Sequence, residues 1–423
     1  MRYITVLMMS LSLSLASCSY LLPSTTPSAF GLLADRGDTR PFEQPLPINT
    51  QPKRLALGSD FAIGVKEDGT VWSWGSGSKG ELGMGKKENR PTPQAIPNMT
   101  DFVEVAVGSG HVLALRKDGT VWSWGNNEKG ALGYKEEGYI LVNNVLNTKS
   151  YQSIQLTPKQ IPDLKEVVSI GAVGTYSYAL SKQGDVYQWG KEQFNNEAIA
   201  LTTPTKIYKN SDAVKIIATL EGVVVLKKTG KIDLLFQPRE FLLPLVSNTR
   251  TFLEQGIEVK AFELQLPLPV VSMGSSSAYY FLLNDGLVYA IGNNDEGQLG
   301  QGNLWKYDKL VKVKNIGRIV QIAENDSVAL DEQGRIWLWG GNIYWRPDLG
   351  VANSNKEPYP IRIKTQLPID FIATNRAIAM GLRDSSVYFM QEDNGIRGTG
   401  KPPRSPQTTS LLMTPEKSLW TWK

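Results

Sequence analysis

Residues 113–125 of the chain read LALRKDGTVWSWG, and residues 63–75 read IGVKEDGTVWSWG. Each stretch holds an apolar run, an Asp-Gly pair and a second run in which side chains alternate. An Asp-Gly turn between two such runs is typical of a β-hairpin, because glycine adopts a positive φ without strain. Both stretches therefore predict an antiparallel hairpin, with both tryptophans of its second strand on one face.

Weaker copies of this hairpin recur along the chain at intervals of 46 to 65 residues. Their seven turn positions are Gly69, Gly119, Gly184, Gly230, Gly286, Gly334 and Ser385. Several hairpins follow an apolar strand, such as residues 103–108, and precede a segment that begins with proline, such as residues 93–97. Proline suits an edge strand, where its missing N–H removes no ladder bond. Four strands per repeat make one blade of a β-propeller.

The repeat count predicts an all-β, seven-bladed β-propeller with four-stranded antiparallel blades, formed by residues 45–423 as a single domain. Residues 411–423 (LLMTPEKSLWTWK) resemble the hairpin once more, and residues 45–48 (PLPI) resemble an outer strand. We expect these N- and C-terminal segments to meet and close the ring, which removes free sheet edges. The same pattern leaves eight blades open as the alternative.

The hairpin and a G-x-L-G motif behind it resemble the repeats of the regulator of chromosome condensation family. The motif occurs at residues 80–83, 130–133 and 297–300. The resemblance covers residues 53–400 and is weakest in the fourth copy, which has lost both W-G and G-x-L-G. It implies a seven-bladed propeller. It also implies, as an alternative function, a guanine-nucleotide exchange-type regulator like the eukaryotic namesake of the family.

The first eighteen residues resemble the export signal of a bacterial lipoprotein. An apolar run ends in Leu15-Ala16-Ser17-Cys18, and Cys18 is the only cysteine of the chain. The run is too short and too rich in serine for a membrane span, which needs roughly 20 apolar residues. We expect residues 1–17 to be a signal peptide, Cys18 to carry the lipid, and residues 18–44 to be a flexible tether. The protein is then exported and membrane-anchored in the cell envelope, at the outer membrane if the source has one.

Composition narrows the chemistry further. One cysteine and one histidine exclude a disulfide framework and a cysteine-rich zinc site. The histidine, His111, falls where other copies have Phe61 and Tyr176, which favours a structural role. The net charge is +4 without a basic block, so no nucleic-acid partner is expected. We expect no catalytic residue, no metal and no cofactor, and hence no enzyme.

The loops behind the G-x-L-G motifs should emerge on one face, because the blades repeat. Tyr, Trp and Arg are favoured at binding hot spots, and loops on a rigid scaffold often carry function. The candidates are Tyr134, Tyr139, Trp305, Tyr307, Tyr344, Trp345 and Arg346. The sequence thus predicts a module that binds an unidentified protein partner through this face. A carbohydrate-binding or hydrolysing propeller, with a glycan as ligand, stays open, as does whether the inserts 134–157 and 237–269 bind or only pack.

Overall fold

The structure is a computed structural model that describes most of the chain between residues 44 and 390. The described ranges are 30–33, 44–134, 141–142, 145–146, 154–194, 197–254, 257–324, 326–340, 357–365, 368–374, 378–382, 386–390 and 416–421. Regular structure in these ranges is β-strand apart from two short 3-10 helices, Glu128–Gly130 and Glu240–Leu245. The all-β prediction is confirmed.

Six sheets repeat one order of antiparallel neighbours, and we call them blades one to six in chain order. An edge strand that belongs to blade six, β1 (Phe30–Leu33), comes first in the chain. Blade one holds β2 (Leu55–Leu57), β3 (Phe61–Val65), β4 (Val71–Gly75) and β5 (Arg90–Ala95). Blade two holds β6 (Phe102–Val107), β7 (His111–Arg116), β8 (Val121–Asn126) and, after a small hairpin of β9 (Leu141–Val142) and β10 (Val145–Leu146), β11 (Ile154–Gln160).

Blade three holds β12 (Val167–Val173), β13 (Tyr176–Ser181), β14 (Asp185–Phe194) and β15 (Glu197–Lys209). Blade four holds β16 (Ala213–Thr219), β17 (Gly222–Lys227), β18 (Ile232–Leu234), β19 (Val246–Glu254) and β20 (Ile257–Leu264). Blade five holds β21 (Val270–Ser275), β22 (Ala278–Leu283), β23 (Val288–Gly292) and β24 (Val311–Lys312). Blade six holds β25 (Ile319–Ile322), β26 (Val328–Asp331), β27 (Ile336–Gly340) and β28 (Glu357–Thr365), with β1 at its edge.

The hairpin of blade two shows why the repeat folds locally. Gly119 has φ +83°, which glycine adopts without strain, and a Cβ there would lie 2.9 Å from the Cα of Glu166. Both the backbone angle and the lack of space therefore favour glycine in this turn. The carboxylate of Asp118 accepts the backbone N–H of Thr120 at 2.9 Å and fixes the turn. Register follows, with His111 opposite Gly125 and Leu115 opposite Val121. Trp122 and Trp124 pack on the same hydrophobic cluster, as the alternation predicts.

Each blade packs on the next through a cluster of buried apolar side chains. The cluster between blades one and two joins Ile63 and Leu82 to Val105 and Trp124. Hydrogen bonds repeat between blades as well. The indole N–H of Trp124 donates to the carbonyl of Glu81 at 2.7 Å, and Glu81 is the variable residue of the preceding G-x-L-G motif. The W-G and G-x-L-G motifs are therefore the two sides of one contact between blades.

The same contact occurs at two other junctions. Trp189 of blade three donates to the carbonyl of Ala131 at 2.9 Å, and Trp339 of blade six donates to the carbonyl of Gln298 at 2.7 Å. Ala131 and Gln298 again occupy the variable position of a G-x-L-G motif. We call this hydrogen bond the tryptophan lock.

The insert 237–269 builds the outer part of blade four. It forms the second 3-10 helix, β19 and β20, and β20 pairs directly with β18 as the fourth strand. Leu242 and Leu264 enter the cluster between blades four and five. The insert therefore packs on the body, and it supplies the outer strand that the decayed fourth repeat lacks.

The strands after blade six form one further sheet of β29 (Ile369–Thr374), β30 (Ile378–Leu382), β31 (Ser386–Met390) and β32 (Glu416–Thr421). The structure therefore shows six blades plus this sheet, where the sequence predicted seven blades or, alternatively, eight. Within residues 411–423, β32 pairs with β31 as an edge strand, so this segment does not begin a separate split blade. The turn at 383–385, which carries Ser385 in place of glycine, lies outside the described residues.

The predicted meeting of residues 45–48 with the C-terminal segment is wrong. The backbone N–H of Leu46 donates to the carbonyl of Asn284 in blade five at 2.6 Å, so this segment lies across the ring. Its two prolines lack the N–H groups that an outer strand would use. Residues 30–33, inside the segment predicted as a tether, form the edge strand β1, with Phe30 opposite Thr365.

Candidate partner-binding surface

The loop that follows the G-x-L-G motif of blade five exposes the largest apolar side chain of this region. Trp305 is 73% exposed, and its neighbour Leu304 is 41% exposed. Exposed tryptophan is costly to leave in water and is favoured at the centres of protein interfaces. Trp305, a candidate from the sequence, is therefore accessible to a partner.

Buried polar groups hold this loop in one shape. Asn294 is buried, and its side-chain N–H groups donate to the carbonyl of Asn303 at 3.0 Å and to that of Trp305 at 2.8 Å. The backbone N–H of Trp305 donates to the side-chain oxygen of Asn303 at 3.1 Å. An indole presented on a fixed backbone loses little conformational entropy when it binds.

Tyr307 supports the loop from below and is only half-exposed. Its ring packs on the cluster between blades five and six, and its hydroxyl oxygen accepts a hydrogen bond from the side-chain amide of Asn303 at 3.0 Å. Tyr307 thus positions the backbone that carries Trp305.

Tyr134 lies in the core and not at the surface. It is 3% exposed, it packs in the cluster between blades two and three, and the Nζ of Lys159 lies 4.4 Å from its ring centre. The residue directly after G-x-L-G points inward here, so its ring offers no contact area to a partner. Tyr139, Tyr344, Trp345, Arg346 and Cys18 lie outside the described residues, and the predictions for them stay predictions.

Sequence reasoning missed a second exposed aromatic side chain, Tyr359, which is 45% exposed. Tyr359 lies on β28 and packs against Gly302, where an added Cβ would come within 2.0 Å of the ring. Gly302 precedes Trp305 by three residues in the loop of blade five. Because glycine has no side chain, β28 at the edge of blade six can approach this loop closely. Only the close approach of two blades makes Tyr359 part of this surface. We call Leu304, Trp305 and Tyr359 the aromatic patch.

The single histidine is buried between blades two and three. His111 is within 2.9 Å of the hydroxyl oxygen of Ser177, which itself donates to the carbonyl of Ala131 at 2.8 Å. Since the hydroxyl already donates, the His111 Nε2 acts as the donor to it. Burial lowers the pKa of His111 to about 4, so the imidazole is neutral near pH 7. This geometry ties two blades together and leaves no nitrogen exposed for catalysis.

The buried carboxylate of Glu104 and the half-buried carboxylate of Glu324, from different blades, come together in the central channel. Burial raises the pKa of Glu104 to about 8, with Lys215 opposing the shift and Glu324 adding to it. Burial also disfavours the charge of Glu324, but Lys53 and Lys215 hold its pKa below the usual value. The Nζ of Lys53 lies 2.8 Å from a Glu324 carboxylate oxygen. Within the described ranges, no three His, Cys, Asp or Glu side chains are grouped so that they could hold a metal ion.

Comparison with known proteins agrees with this architecture. The profile of the regulator of chromosome condensation (RCC1) repeat matches residues 68–115, 118–180 and 285–324, and a second profile of that description matches residues 53–81 and 102–131. The RCC1 domain-containing protein RUG3, mitochondrial, of Arabidopsis thaliana is 25% identical over 309 residues, covering 66% of this chain and 63% of that protein. The regulator of chromosome condensation of Mus musculus is 32% identical over 116 residues, covering 25% of this chain and 27% of that one. The chain therefore matches less than two thirds of the length of these relatives.

Solved structures show the same fold at lower identity. The crystal structure of Prp20p from Saccharomyces cerevisiae, which binds Gsp1p and histones, gives a TM-score of 0.62 at 20% identity and covers 88% of this chain and 87% of that one. Yeast RCC1 (Prp20) bound to Kap60 gives 0.63 at 19% identity, over 95% and 90% of the two chains. At these identities the likeness concerns the fold alone.

Fold and surface together define a β-propeller whose blades are held by tryptophan locks and whose loops are fixed from below. The repeat profiles match the three G-x-L-G motifs of the locks and Trp124. Residues 53–180 and 285–324 of the chain match regulator of chromosome condensation repeats. None of the described helices is long and apolar enough to cross a membrane.

Proposed function

We propose that this protein is a binding module that engages a protein partner through the aromatic patch. The observation that carries the proposal is Trp305, which is 73% exposed on a backbone fixed by the buried Asn294. A rigid, solvent-exposed indole beside Leu304 and Tyr359 has the composition and preorganisation of an interface hot spot. We expect the partner to offer an apolar pocket for the indole, with polar groups around it.

Proteins of similar fold supply a second line of support. The two yeast propellers bind Gsp1p, histones and Kap60, which are proteins. A propeller leaves its loop faces free because its sheets are buried against one another. Protein recognition by a loop face therefore suits the architecture of this chain as well.

We also propose that the protein is exported and lipid-anchored at Cys18. The supporting observation is that the only cysteine of the chain ends the motif Leu15-Ala16-Ser17-Cys18 behind an apolar run. Expression of the wild-type chain and Cys18→Ser in a bacterium fed a labelled fatty acid tests this. The wild type should incorporate label and sediment with membranes, whereas the variant should do neither. Equal labelling of both chains would contradict the lipid attachment.

We further infer that the sheet of β29–β32 completes the ring as a seventh blade. The backbone N–H at the start of β29, from Ile369, donates to the carbonyl of the turn residue Gly334 at 2.9 Å. The same bond joins Val167 to Gly119 and Ile319 to Gly286 at earlier junctions. Ala373 of this sheet also packs in one cluster with residues of blade one. An experimental structure of the chain tests the inference, and a ring closed by blade six directly on blade one would contradict it.

A pull-down from the source cell's envelope tests the binding function. The baits are the wild-type protein, Trp305→Ala, and Leu220→Ala as the matched control. Leu220 is 82% exposed but lies between β16 and β17 of blade four, away from the aromatic patch. We expect one protein to be captured by the wild type and the control and lost with Trp305→Ala. Capture that survives Trp305→Ala would contradict the patch, and capture of glycans in its place would favour the carbohydrate alternative.

A further inference from the structure

Residues 46–53 cross one mouth of the central channel, and we call them the strap. We propose that the strap is a latch that holds the propeller closed at the contact between blade one and the sheet of β29–β32, which we call the seam. The proposal does not depend on the partner, on the lipid or on the aromatic patch. It assigns a conformational role to a segment that, apart from Lys53, precedes the residues that match the repeat.

The seam is the one place in the ring of sheets where two neighbours are not joined by consecutive residues. Blade one is built from residues 55–95, and the last sheet from residues 369–421, so in the described pairing they share no strand. Across the seam, Leu55 and Trp74 pack against Ala373 and Val387. The ring can therefore open here without breaking a strand ladder.

The far end of the strap is attached to the opposite side of the ring. The backbone N–H of Leu46 donates to the carbonyl of Asn284 at 2.6 Å, and that of Asn49 donates to the carbonyl of Val271 at 3.0 Å. Both acceptors belong to blade five. These bonds fix the backbone of the strap on blade five without making it a strand of that blade.

Two half-buried side chains add apolar contacts to these bonds. Ile48 packs on the cluster between blades four and five, and Leu46 packs on the cluster between blades five and six. Pro47, between them, is exposed. The segment thus docks by alternate side chains, as an extended peptide does in a groove.

The near end of the strap is attached by charged groups in the channel. The Nζ of Lys53 lies 2.8 Å from Glu324 beyond β25 of blade six, and the carbonyl of Lys53 accepts the N–H of Val105 at 2.9 Å. The Nζ of Lys215, from blade four, donates to the carbonyl of Gln51 at 3.2 Å. Blade one, which begins two residues after Lys53, is therefore tied to blades four, five and six as well as to blade two.

This connection turns the strap into a latch. Opening the seam moves blade one away from blade six, and the strap resists that movement until its bonds on blades four to six break. A cavity of about 640 Å³ lies between the strap and the inner strands. The strap can therefore leave the channel mouth without removing a strand from any sheet.

Hydrogen exchange on the full-length protein tests the latch. In Ile48→Asp, a charge replaces the side chain that docks between blades four and five, and the strap should detach. We expect amides of Leu55–Leu57 and Ile369–Thr374, on the two sides of the seam, to exchange at least tenfold faster than in the wild type. Pro47→Asp is the matched control, because it puts the same charge at an exposed position of the same segment, and it should leave the seam unchanged.

A milder variant keeps the test decisive if the charge disturbs folding. Ile48→Ala removes three carbon atoms from the docked side chain and should raise exchange at the seam about threefold. Faster exchange confined to blades four and five, with the seam as slow as in Pro47→Asp, would overturn the proposal and leave the strap as local packing. Exchange at the seam that is already unprotected in the wild type would overturn it too.

Discussion

The hairpins of blades two and four have the same register, but their equivalent positions hold different kinds of side chain. In blade two, Trp122 and Trp124 fill the second strand of the hairpin, and Trp124 forms the lock with the carbonyl of Glu81. In blade four, Asp233 and Leu235 occupy the equivalent positions, with Asp233 opposite Val225 as Trp122 is opposite Ala114. One position of a propeller blade thus accepts either a large ring or a buried carboxylate.

The buried carboxylate of blade four is matched by cations. Asp233 is fully buried and accepts hydrogen bonds from Lys227 at 2.9 Å, from Arg250 at 2.7 Å and from the hydroxyl of Tyr208. Lys227 also reaches Glu263 on the insert strand β20, at 2.5 Å. Burial, reinforced by the bond to Asp233, raises the pKa of Tyr208 well above its usual range. The insert strands β19 and β20 supply Arg250 and Glu263. These strands are therefore needed to pair the charge of Asp233, which stands where blade two has a tryptophan ring.

The tryptophan lock also explains why a missing G-x-L-G motif in one blade goes with a missing tryptophan in the next. Blades three and four have no G-x-L-G motif, so the blade after each of them has no lock acceptor in front of it. The lock positions of those next blades hold Leu235 and Ile291 in place of tryptophan. A buried indole N–H without an acceptor costs free energy, so Trp124, Trp189 and Trp339 each depend on the motif of the blade before them.

The largest effect should come from breaking the ion network of blade four. Asp233→Ala leaves the ammonium of Lys227 and the guanidinium of Arg250 without their shared carboxylate, and should lower the free energy of unfolding by about 3–5 kcal/mol. Urea unfolding followed by tryptophan fluorescence measures this, with the exposed Glu258→Ala as control. The double variant Asp233→Leu with Lys227→Met should recover most of the loss, because it removes both charges. A loss below about 1 kcal/mol in the single variant would show that the network contributes little.

The second prediction concerns the pH dependence of stability, which His111 should cause in blade two at a higher pH than the ion network in blade four. The ordinary pKa of histidine is 6.5, and burial lowers that of His111 to about 4, so between these values the unfolded chain binds more protons than the folded one. Stability should therefore be full above pH 6.5 and fall by about 2–3 kcal/mol as the pH drops towards 4. Stability measured from pH 8 to 4 should lose this slope in His111→Phe, which copies Phe61 of blade one. The same slope in the variant would assign it to other groups.

The ion network of blade four should respond only at lower pH. Burial opposes ionisation of Glu263, but hydrogen bonds from Lys227 and Lys231 lower its pKa to about 2. Its contribution is present above the ordinary value of 4.5 and is lost as the pH falls towards 2. Hydrogen exchange at pH 5 should therefore show β7 and β8 loosened while β18 and β20 stay protected. Simultaneous loosening would mean that the blades do not titrate separately.

A smaller effect tests the tryptophan lock itself. Trp124→Phe keeps an aromatic ring but removes the N–H that Glu81 accepts, and leaves a small cavity. We expect a loss of about 2 kcal/mol in the free energy of unfolding, from the unsatisfied carbonyl and the lost contacts. Trp305→Phe, at an exposed position, is the control and should change stability by less than about 0.5 kcal/mol. Equal effects at both sites would contradict the lock.

The smallest effect concerns the hairpin turns. Asp118 accepts both the N–H and the hydroxyl of Thr120, whereas blade four has Thr229 at this turn position. Asp118→Ala should cost about 0.5–1 kcal/mol in thermal unfolding, and Thr229→Asp should stabilise blade four by less than that. Destabilisation by Thr229→Asp would show that the turn of blade four has a different geometry.

Local patterns were enough to predict four-stranded antiparallel blades, because each hairpin depends on neighbouring residues, but not the number of blades. The D-G turns, the alternation and the shared face of Trp122 and Trp124 all follow from covalent geometry. Among the candidate surface residues, Trp305 is exposed five residues after its G-x-L-G motif, whereas Tyr134, directly after its motif, is buried. Tyr359 could not be found from the sequence, since it joins the patch only through the approach of blade six to Gly302.

The sequence by itself determined the repeat, the antiparallel blades and the motifs between them, because their causes act over a few residues. Tertiary structure alone decided which partners those motifs meet: the carbonyl of Glu81 for Trp124, the insert strand for Asp233, and blade five for Leu46. These contacts join residues that lie from 17 to 238 positions apart. Their formation depends on how blades pack and how buried charges find partners, which no local pattern records.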